Sequence, residues 1–243
     1  MNWFENWFDS NYYHILYKNR NTKEAVVLID NIVKLISPPK NALFLDLGCG
    51  TGRHSIHLNK KGFCVHGVDL SKKSLMQAKQ HENKTLSFHL KDMRQFCNKK
   101  KYDVIINLFT SFGYFEKDSD NKKVFQNIEA SLKHNGYFVI DFFNSNKVVR
   151  DLKKKEQKQI DNIIFKINRR HDNKFVYKDI YITDKKNNYT FTEKVRLINK
   201  EQFINYSKNL NIKLIDIFGD YSLNKYNNEL SDRLIMIFQK NND

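Results

Sequence analysis

The stretch Leu43-Phe44-Leu45-Asp46-Leu47-Gly48-Cys49-Gly50-Thr51-Gly52-Arg53 is a short apolar strand running into three alternating glycines, and it holds three of the chain's eight glycines within five residues. Glycine lacks a Cβ and tolerates positive φ, so the backbone there can turn sharply and lay its amides beside a bound nucleoside. The spacing discriminates among nucleotide loops. The dinucleotide pattern G-x-G-x-x-G would put glycine where Arg53 stands, and the phosphate loop G-x-x-x-x-G-K-[ST] is absent.

Phe63 to Val68 reads as a second strand ending in Asp69, at about the distance from the loop at which an α/β nucleotide site places the carboxylate that grips a ribose. Ser71 has the character of a helix cap, with a helix expected to about Gln80. Leu86 to Leu90 reads as a third strand leading into Asp92-Met93. Tyr102 to Leu108 reads as a fourth, opening into Asn107-Leu108-Phe109-Thr110-Ser111-Phe112-Gly113-Tyr114-Phe115. An acidic residue followed by G-x-G-x-G, with further acids at the ends of the next two strands, resembles the class I S-adenosylmethionine-dependent methyltransferases.

The resemblance covers roughly residues 41 to 144 and implies S-adenosyl-L-methionine as cofactor. It implies that Asp69, with Leu70 beside it, takes both ribose hydroxyls, that Asp92 holds the adenine amino group and that Met93 meets the ring. Gly48, Gly50 and Gly52 form the cofactor loop, Asp46 organises it or meets the cofactor's amino group, and Asn107 and Leu108 flank the methionine part. The expected fold is α/β: a Rossmann-like, doubly wound seven-stranded sheet with an antiparallel last strand, a small antiparallel β insertion and an N-terminal helical lid.

Strands and helices alternate from Asn41 to Phe143 in five βα steps, which gives a parallel sheet covered on both faces. A helix from about Asn121 to Lys133 ends at Asn135-Gly136 in a left-handed turn. The only two prolines, Pro38-Pro39, separate an N-terminal helical segment from the first strand. After Asn144 three antiparallel strands are expected, Ile163 to Asn168, Phe175 to Thr183 and Tyr189 to Leu197, separated by polar turns. A helix around Gln202 to Asn209 and strands around Lys213 to Phe218 and Arg233 to Phe238 return the chain to the main sheet. The expected division is a lid segment over 1–38, a cofactor-binding core over 39–145, a β insertion or substrate lobe over 146–198 and a return to the core over 199–243, all within one domain.

The chain has 243 residues, enough to bury a sizeable core, and aromatics make up 14% of it. No apolar run has the length of a membrane span and the first residues do not read as a signal peptide, so a cytoplasmic location without membrane attachment is expected. Cys49, Cys64 and Cys97 lack metal-ligand spacing; free thiols and no metal are expected. The net charge of +15 invites a nucleic-acid reading. Against it, lysine and asparagine are scattered along the chain and no aromatic-and-arginine cluster of an RNA-reading module stands out, so nucleic acid is a possible partner that the sequence does not favour.

Methyl transfer from a sulfonium needs alignment and exclusion of water more than covalent help, so no catalytic triad is expected and none is visible. A base matters only for a nucleophile that arrives protonated; Tyr17, His54 and Tyr114 are the candidates. Trp3 and Trp7 lie one helical turn apart, as do Tyr13 and Tyr17, which suits either a helix docked on the core or a lid carrying Tyr13, Tyr17 and Arg20 onto the cofactor. Phe112, Tyr114 and Phe115 read as substrate-pocket wall or as core. The [DN]-P-P-[YF] motif of exocyclic-amino enzymes is replaced by Asn107-Leu108-Phe109-Thr110, and no proline follows Pro39 to build a Pro-Cys nucleophile. The expected activity is methyl transfer to nitrogen or oxygen of a small molecule by a monomer or homodimer. An RNA or protein methyltransferase is the first alternative, and an inactive nucleoside-binding partner protein the second.

Overall fold

The computed structural model of the protein describes residues 3–18 and 22–241. Two six-residue helices, α1 (Trp3–Phe8) and α2 (Asn11–Leu16), open the chain, and Ser10 Oγ caps the second by accepting the Tyr13 N–H at 3.0 Å. Helices this short do not persist alone in water, so their order comes from what they pack on. The longer α3 (Thr22–Ile36) buries Leu28, Ile29 and Ile32 along one stripe.

The core then alternates β1 (Leu43–Leu47), α4 (Arg53–Lys60), β2 (Cys64–Asp69), α5 (Lys72–Ala78), β3 (Leu86–Leu90), β4 (Tyr102–Asn107), α6 (Asp118–Ser131) and β5 (Leu132–Phe143). After α7 (Ser145–Arg150) come four strands, β6 (Lys155–Ile160), β7 (Ile163–His171), β8 (Phe175–Asp184) and β9 (Asn187–Arg196). The chain ends with α8 (Lys200–Ser207), β10 (Ile212–Phe218) and β11 (Arg233–Lys240). The main sheet has seven strands in the order β3-β2-β1-β4-β5-β11-β10; β1 to β5 are parallel, while β11 runs antiparallel to both of its neighbours. Order reverses between β1 and β4, which opens a crevice at their carboxyl ends, where open α/β sheets hold ligands.

Successive residues of the central strands face opposite ways, and the core divides accordingly. Leu45, Ile105, Phe138, Ile140 and Met236 pack with α6 and α8, whereas Phe44, Val104, Ile106, Val139 and Ile235 pack under α3, α4 and α5. A third cluster joins Trp7 and Leu16 of the N-terminal helices to Phe165, Ile167, Ile180 and Ile182 on one face of the second sheet. Among the described residues no helix is long and apolar enough to cross a membrane.

The seven-stranded plan with its antiparallel strand is as expected, and three details differ. The second sheet has four strands rather than three, in the order β6-β7-β8-β9. Its extra edge strand, Lys-Glu-Gln-Lys-Gln-Ile, is mostly exposed and carries no apolar alternation to announce it. Second, α6 begins a turn before Asn121, with Asp118 and Asp120 at the positive end of its dipole, and stops at Ser131. There the Lys100 and Lys101 N–H groups take the carbonyls of Ala130 and Ser131; the left-handed Asn135 (φ 59°) lies within the first part of β5 and does not end the helix. Third, no helix follows β3. Residues 91–101 form turns in which the Asp92 carbonyl accepts the Gln95 and Phe96 N–H groups, both at 2.9 Å.

Candidate functional site

A cavity of about 460 Å³ fills the crevice at the ends of β1, β2 and β4, within the size range of small-molecule sites. Its floor is the glycine loop. The Gly48 and Cys49 N–H groups both donate to the Val68 carbonyl, at 2.8 and 3.0 Å, which ties the loop to β2. Gly50 lines the cavity at φ 55°, and a Cβ built on it would meet no protein atom within 4 Å, so the missing side chain leaves open space above the loop. Gly52 has a different duty: at φ 82° it starts α4, and a Cβ there would lie 2.7 Å from the Phe88 ring. It is a packing glycine that does not line the cavity.

Asp69 closes the floor. Its Oδ2 accepts the Gly50 N–H at 2.7 Å and its Oδ1 the Ser71 N–H at 2.8 Å. Burial pushes its carboxyl pKa up, opposed by the backbone donors of Ser71, Gly50 and Leu70. A carboxylate offers about four lone-pair positions, so two remain for hydroxyl donors in the cavity. Open space over Gly50 together with this half-used carboxylate fits a ribose-bearing cofactor. Leu70 and Met93 line the same region with Val68.

Asp46 lies one layer behind. It is fully buried, accepts the Ser55 Oγ–H at 2.6 Å and ties β1 to α4, and burial raises its carboxyl pKa to about 6. Asn107 is also buried behind the wall, its Nδ2 donating to the carbonyls of Leu47 (2.7 Å) and Ser111 (3.1 Å). The next residue, Leu108, reaches the cavity, as do Phe109 and Ser111. Asp92 is not brought to the cavity. Arg94 holds it in a fork, Nη2 to Oδ2 at 2.6 Å and Nε to Oδ1 at 3.1 Å, while its neighbours Lys91 and Met93 face inward.

Helices α1 and α2 roof the cavity with Phe4, Phe8, Tyr13 and Tyr17, and Tyr114 and Phe115 meet them from the loop after β4. Phe8 and Trp3 contact the Tyr114 ring at 5.4 and 5.6 Å between centroids. The Tyr114 hydroxyl donates to the Thr110 carbonyl at 2.5 Å. His54, buried on the first turn of α4, lines the cavity with its ring 5.1 Å from that of Phe109. Phe112 lies in the core against Phe125 and Phe203 and not at the cavity. Arg20 lies outside the described residues.

Three residues that no local pattern marks hold the roof in place. Glu193 on β9 accepts the Trp7 Nε1–H at 2.7 Å and the Tyr17 hydroxyl at 2.6 Å, and its other oxygen lies 3.5 Å from Lys178 Nζ. The Lys178 ammonium also contacts the Tyr17 hydroxyl. Asp9, between the two helices, accepts from Ser71 Oγ (2.7 Å) and the Lys73 N–H (3.1 Å) at the start of α5. The two proposals for this segment, docked helix and lid, therefore describe one arrangement. Its outward aromatics dock on the second sheet while its inward ones cover the cavity.

A mostly parallel sheet whose first loop, second-strand acid and fourth-strand mouth enclose one cavity defines an α/β protein built around a nucleoside-bearing cofactor. Residues 38–196 match the methyltransferase-domain family model, and the chain belongs to that family, whose cofactor is S-adenosylmethionine. It is 30% identical over 154 residues to a ubiquinone biosynthesis O-methyltransferase of Pelagibacter ubique, covering 58% of this chain and 60% of the relative. It is 28% identical over 132 residues to a dTDP-3-amino-3,4,6-trideoxy-alpha-D-glucopyranose N,N-dimethyltransferase of Streptomyces venezuelae, covering 53% and 54%. The chain spans about half the length of the curated relatives it matches. In fold it is similar to an S-adenosylmethionine-dependent methyltransferase from Clostridium acetobutylicum, with a TM-score of 0.79 at 21% identity over 95% of this chain and 96% of that one.

Proposed function

We propose that this chain transfers a methyl group from S-adenosylmethionine to a nitrogen or oxygen atom of a small molecule. The roof carries the reading: α1 and α2 cover the cavity and are pinned at Glu193 and Asp9, so an acceptor would have to fit beneath them to reach the cofactor. One relative is named an O-methyltransferase and another an N,N-dimethyltransferase, which supports both acceptor atoms.

The bound cofactor supplies a methyl group already activated on a sulfonium. The protein's share is to bind, align and keep water out. Asp69 and the Gly50 backbone hold the nucleoside end, and the roof aromatics exclude water. For an acceptor that arrives protonated, Tyr17 offers a hydroxyl that hydrogen-bonds to Glu193 and so connects the chamber to a carboxylate; His54 and Tyr114 also face it.

Titration calorimetry with S-adenosylhomocysteine tests the cofactor half. Asp69→Ala should cost about 2–4 kcal/mol of affinity, because it removes two charge-assisted hydrogen bonds. Affinity within threefold of the parent in a folded variant would remove Asp69 from the site. Mass spectrometry of cell extract incubated with labelled S-adenosylmethionine tests the acceptor half, and label in a small metabolite is expected. Binding without transfer would point to an inactive nucleoside-binding partner.

One observation favours an RNA substrate. Arg170 lies over Tyr177 at 4.0 Å and Lys194 over the same ring at 5.7 Å, on the face of the second sheet turned away from the roof. Salt-resistant, selective binding with label in RNA would establish it, whereas scattered lysine charge gives binding lost at moderate salt.

A further inference from the structure

The loop leaving β4 takes a conformation its residues do not favour. Phe109 and Thr110 are successive non-glycine residues at φ 55° and 63°, and left-handed backbone is least tolerable for a bulky ring and a β-branched side chain. Such backbone persists only where surrounding structure over-determines it, and it clusters at functional sites.

The over-determining group is Asp141, fully buried near the end of β5. Its Oδ2 accepts the Phe109 N–H at 2.7 Å and its carbonyl accepts the Thr110 N–H at 3.0 Å. Arg233, the first residue of β11, completes the clamp. Its Nε donates to Asp141 Oδ1 at 2.8 Å and its Nη2 to Thr110 Oγ1 at 3.0 Å. Neither Asp141, Arg233 nor Thr110 lines the cavity. What the clamp fixes does line it. Phe109 is stacked on Tyr221 at 4.9 Å and has the Arg53 guanidinium over its ring at 4.1 Å, and Ser111 Oγ donates to the carbonyls of Gly48 and Leu108.

We propose that Asp141 and Arg233 are positioning residues for the amino-acid end of the cofactor: they lock the Phe109-Thr110 turn so that Leu108, Phe109 and Ser111 form the wall against which that end lies. The inference rests on the cavity being the cofactor site, with the nucleoside at Asp69 and the amino-acid end toward the β1–β4 switch point. Asp141 and Arg233 never touch the cofactor and act only through backbone.

Two ligands separate this role from a merely structural one. S-adenosylhomocysteine carries the amino-acid end; 5′-methylthioadenosine keeps the nucleoside and the sulfur but lacks it. By calorimetry the wild-type protein should bind the first more tightly. Asp141→Asn should weaken S-adenosylhomocysteine at least tenfold and leave methylthioadenosine within twofold. Thr110→Val, which removes one acceptor of the Arg233 guanidinium and leaves the Asp141–Arg233 pair in place, should weaken S-adenosylhomocysteine about threefold, again alone. Arg233→Lys, which keeps the charge without the fork, should fall between wild type and Asp141→Asn.

If Asp141→Asn does not fold, Thr110→Val and Arg233→Lys decide. Variants that keep the wild-type preference, or weaken both ligands equally, overturn the positioning role. A wild-type protein that binds methylthioadenosine as tightly as S-adenosylhomocysteine overturns instead the placement of the amino-acid end on which it rests.

Discussion

Replacing Glu193 by alanine should release the roof while leaving the main sheet intact. The substitution removes the acceptor of the Trp7 indole N–H at 2.7 Å and of the Tyr17 hydroxyl at 2.6 Å, and the carboxylate 3.5 Å from the Lys178 ammonium. Hydrogen bonds to a charged group contribute about 1.5–3 kcal/mol each. Trp7 is completely buried and Lys178 about four-fifths so, which puts the loss near the 3–5 kcal/mol expected on removing one partner of a buried pair. The roof shares only a small core with the second sheet, so the cost falls on its docking before it reaches the seven-stranded sheet. At roughly 1.4 kcal/mol per factor of ten, the open fraction should rise at least a hundredfold. Hydrogen exchange read by mass spectrometry over residues 3–18 measures this directly, with peptides from β1, β4 and β5 as internal controls. Glu193→Gln, which keeps an acceptor oxygen and loses the charge, should fall in between. If roof peptides of a folded Glu193→Ala protein exchange within threefold of the parent, the carboxylate is not what holds the roof.

The two loop glycines should separate binding from stability. Gly50→Ala should cost only the roughly 1–2 kcal/mol of a left-handed L-residue yet weaken S-adenosylhomocysteine at least tenfold by filling the space over the loop, whereas Gly52→Ala adds a clash with Phe88 and should lose about 2–5 kcal/mol in urea denaturation. Asp46 should make the protein less stable as pH rises. Its folded pKa of about 6 lies above the unfolded 3.8, so its stabilising contribution is complete below about pH 3.8 and is lost as pH rises through 6, a change of the order of 3 kcal/mol. Because carboxylates such as Asp30 and Glu156 are shifted the other way, the readout is the difference in denaturation free energy between wild type and Asp46→Asn from pH 4 to 7, and a flat difference would refute the shift.

The glycine loop, Asp69 and the order of the core strands were legible because each is a local pattern: apolar runs of strand length, turn residues, and an acid at a fixed distance. The roof was legible only in part. Aromatic spacing announced short amphipathic helices, but Glu193 sits in an ordinary alternating strand and Asp9 in a two-residue link, and their importance arises from partners far away in sequence. Asp92 shows the converse. Its position after β3 matches the motif, while Arg94, two residues on, turns its carboxylate aside. The Asp141–Arg233 clamp left no trace either, since a lone Asp in an apolar strand and a lone Arg at a strand start have no pattern until β5 and β11 lie side by side.

The bonds from Glu193 to Trp7 and Tyr17 span 186 and 176 residues, and that separation imposes an order on assembly. At a synthesis rate of about 5–20 residues per second, the first helices wait roughly 10–40 s for β9 to be made. Through that interval neither six-residue helix can hold itself together, and Trp7 lacks the strands of the second sheet that bury it. The seven-stranded sheet waits longer still, because β11, which inserts between β5 and β10, follows β9 in the chain. The aromatic roof segment is therefore made long before the strand that pins it, and the chamber can close only once β9 has emerged.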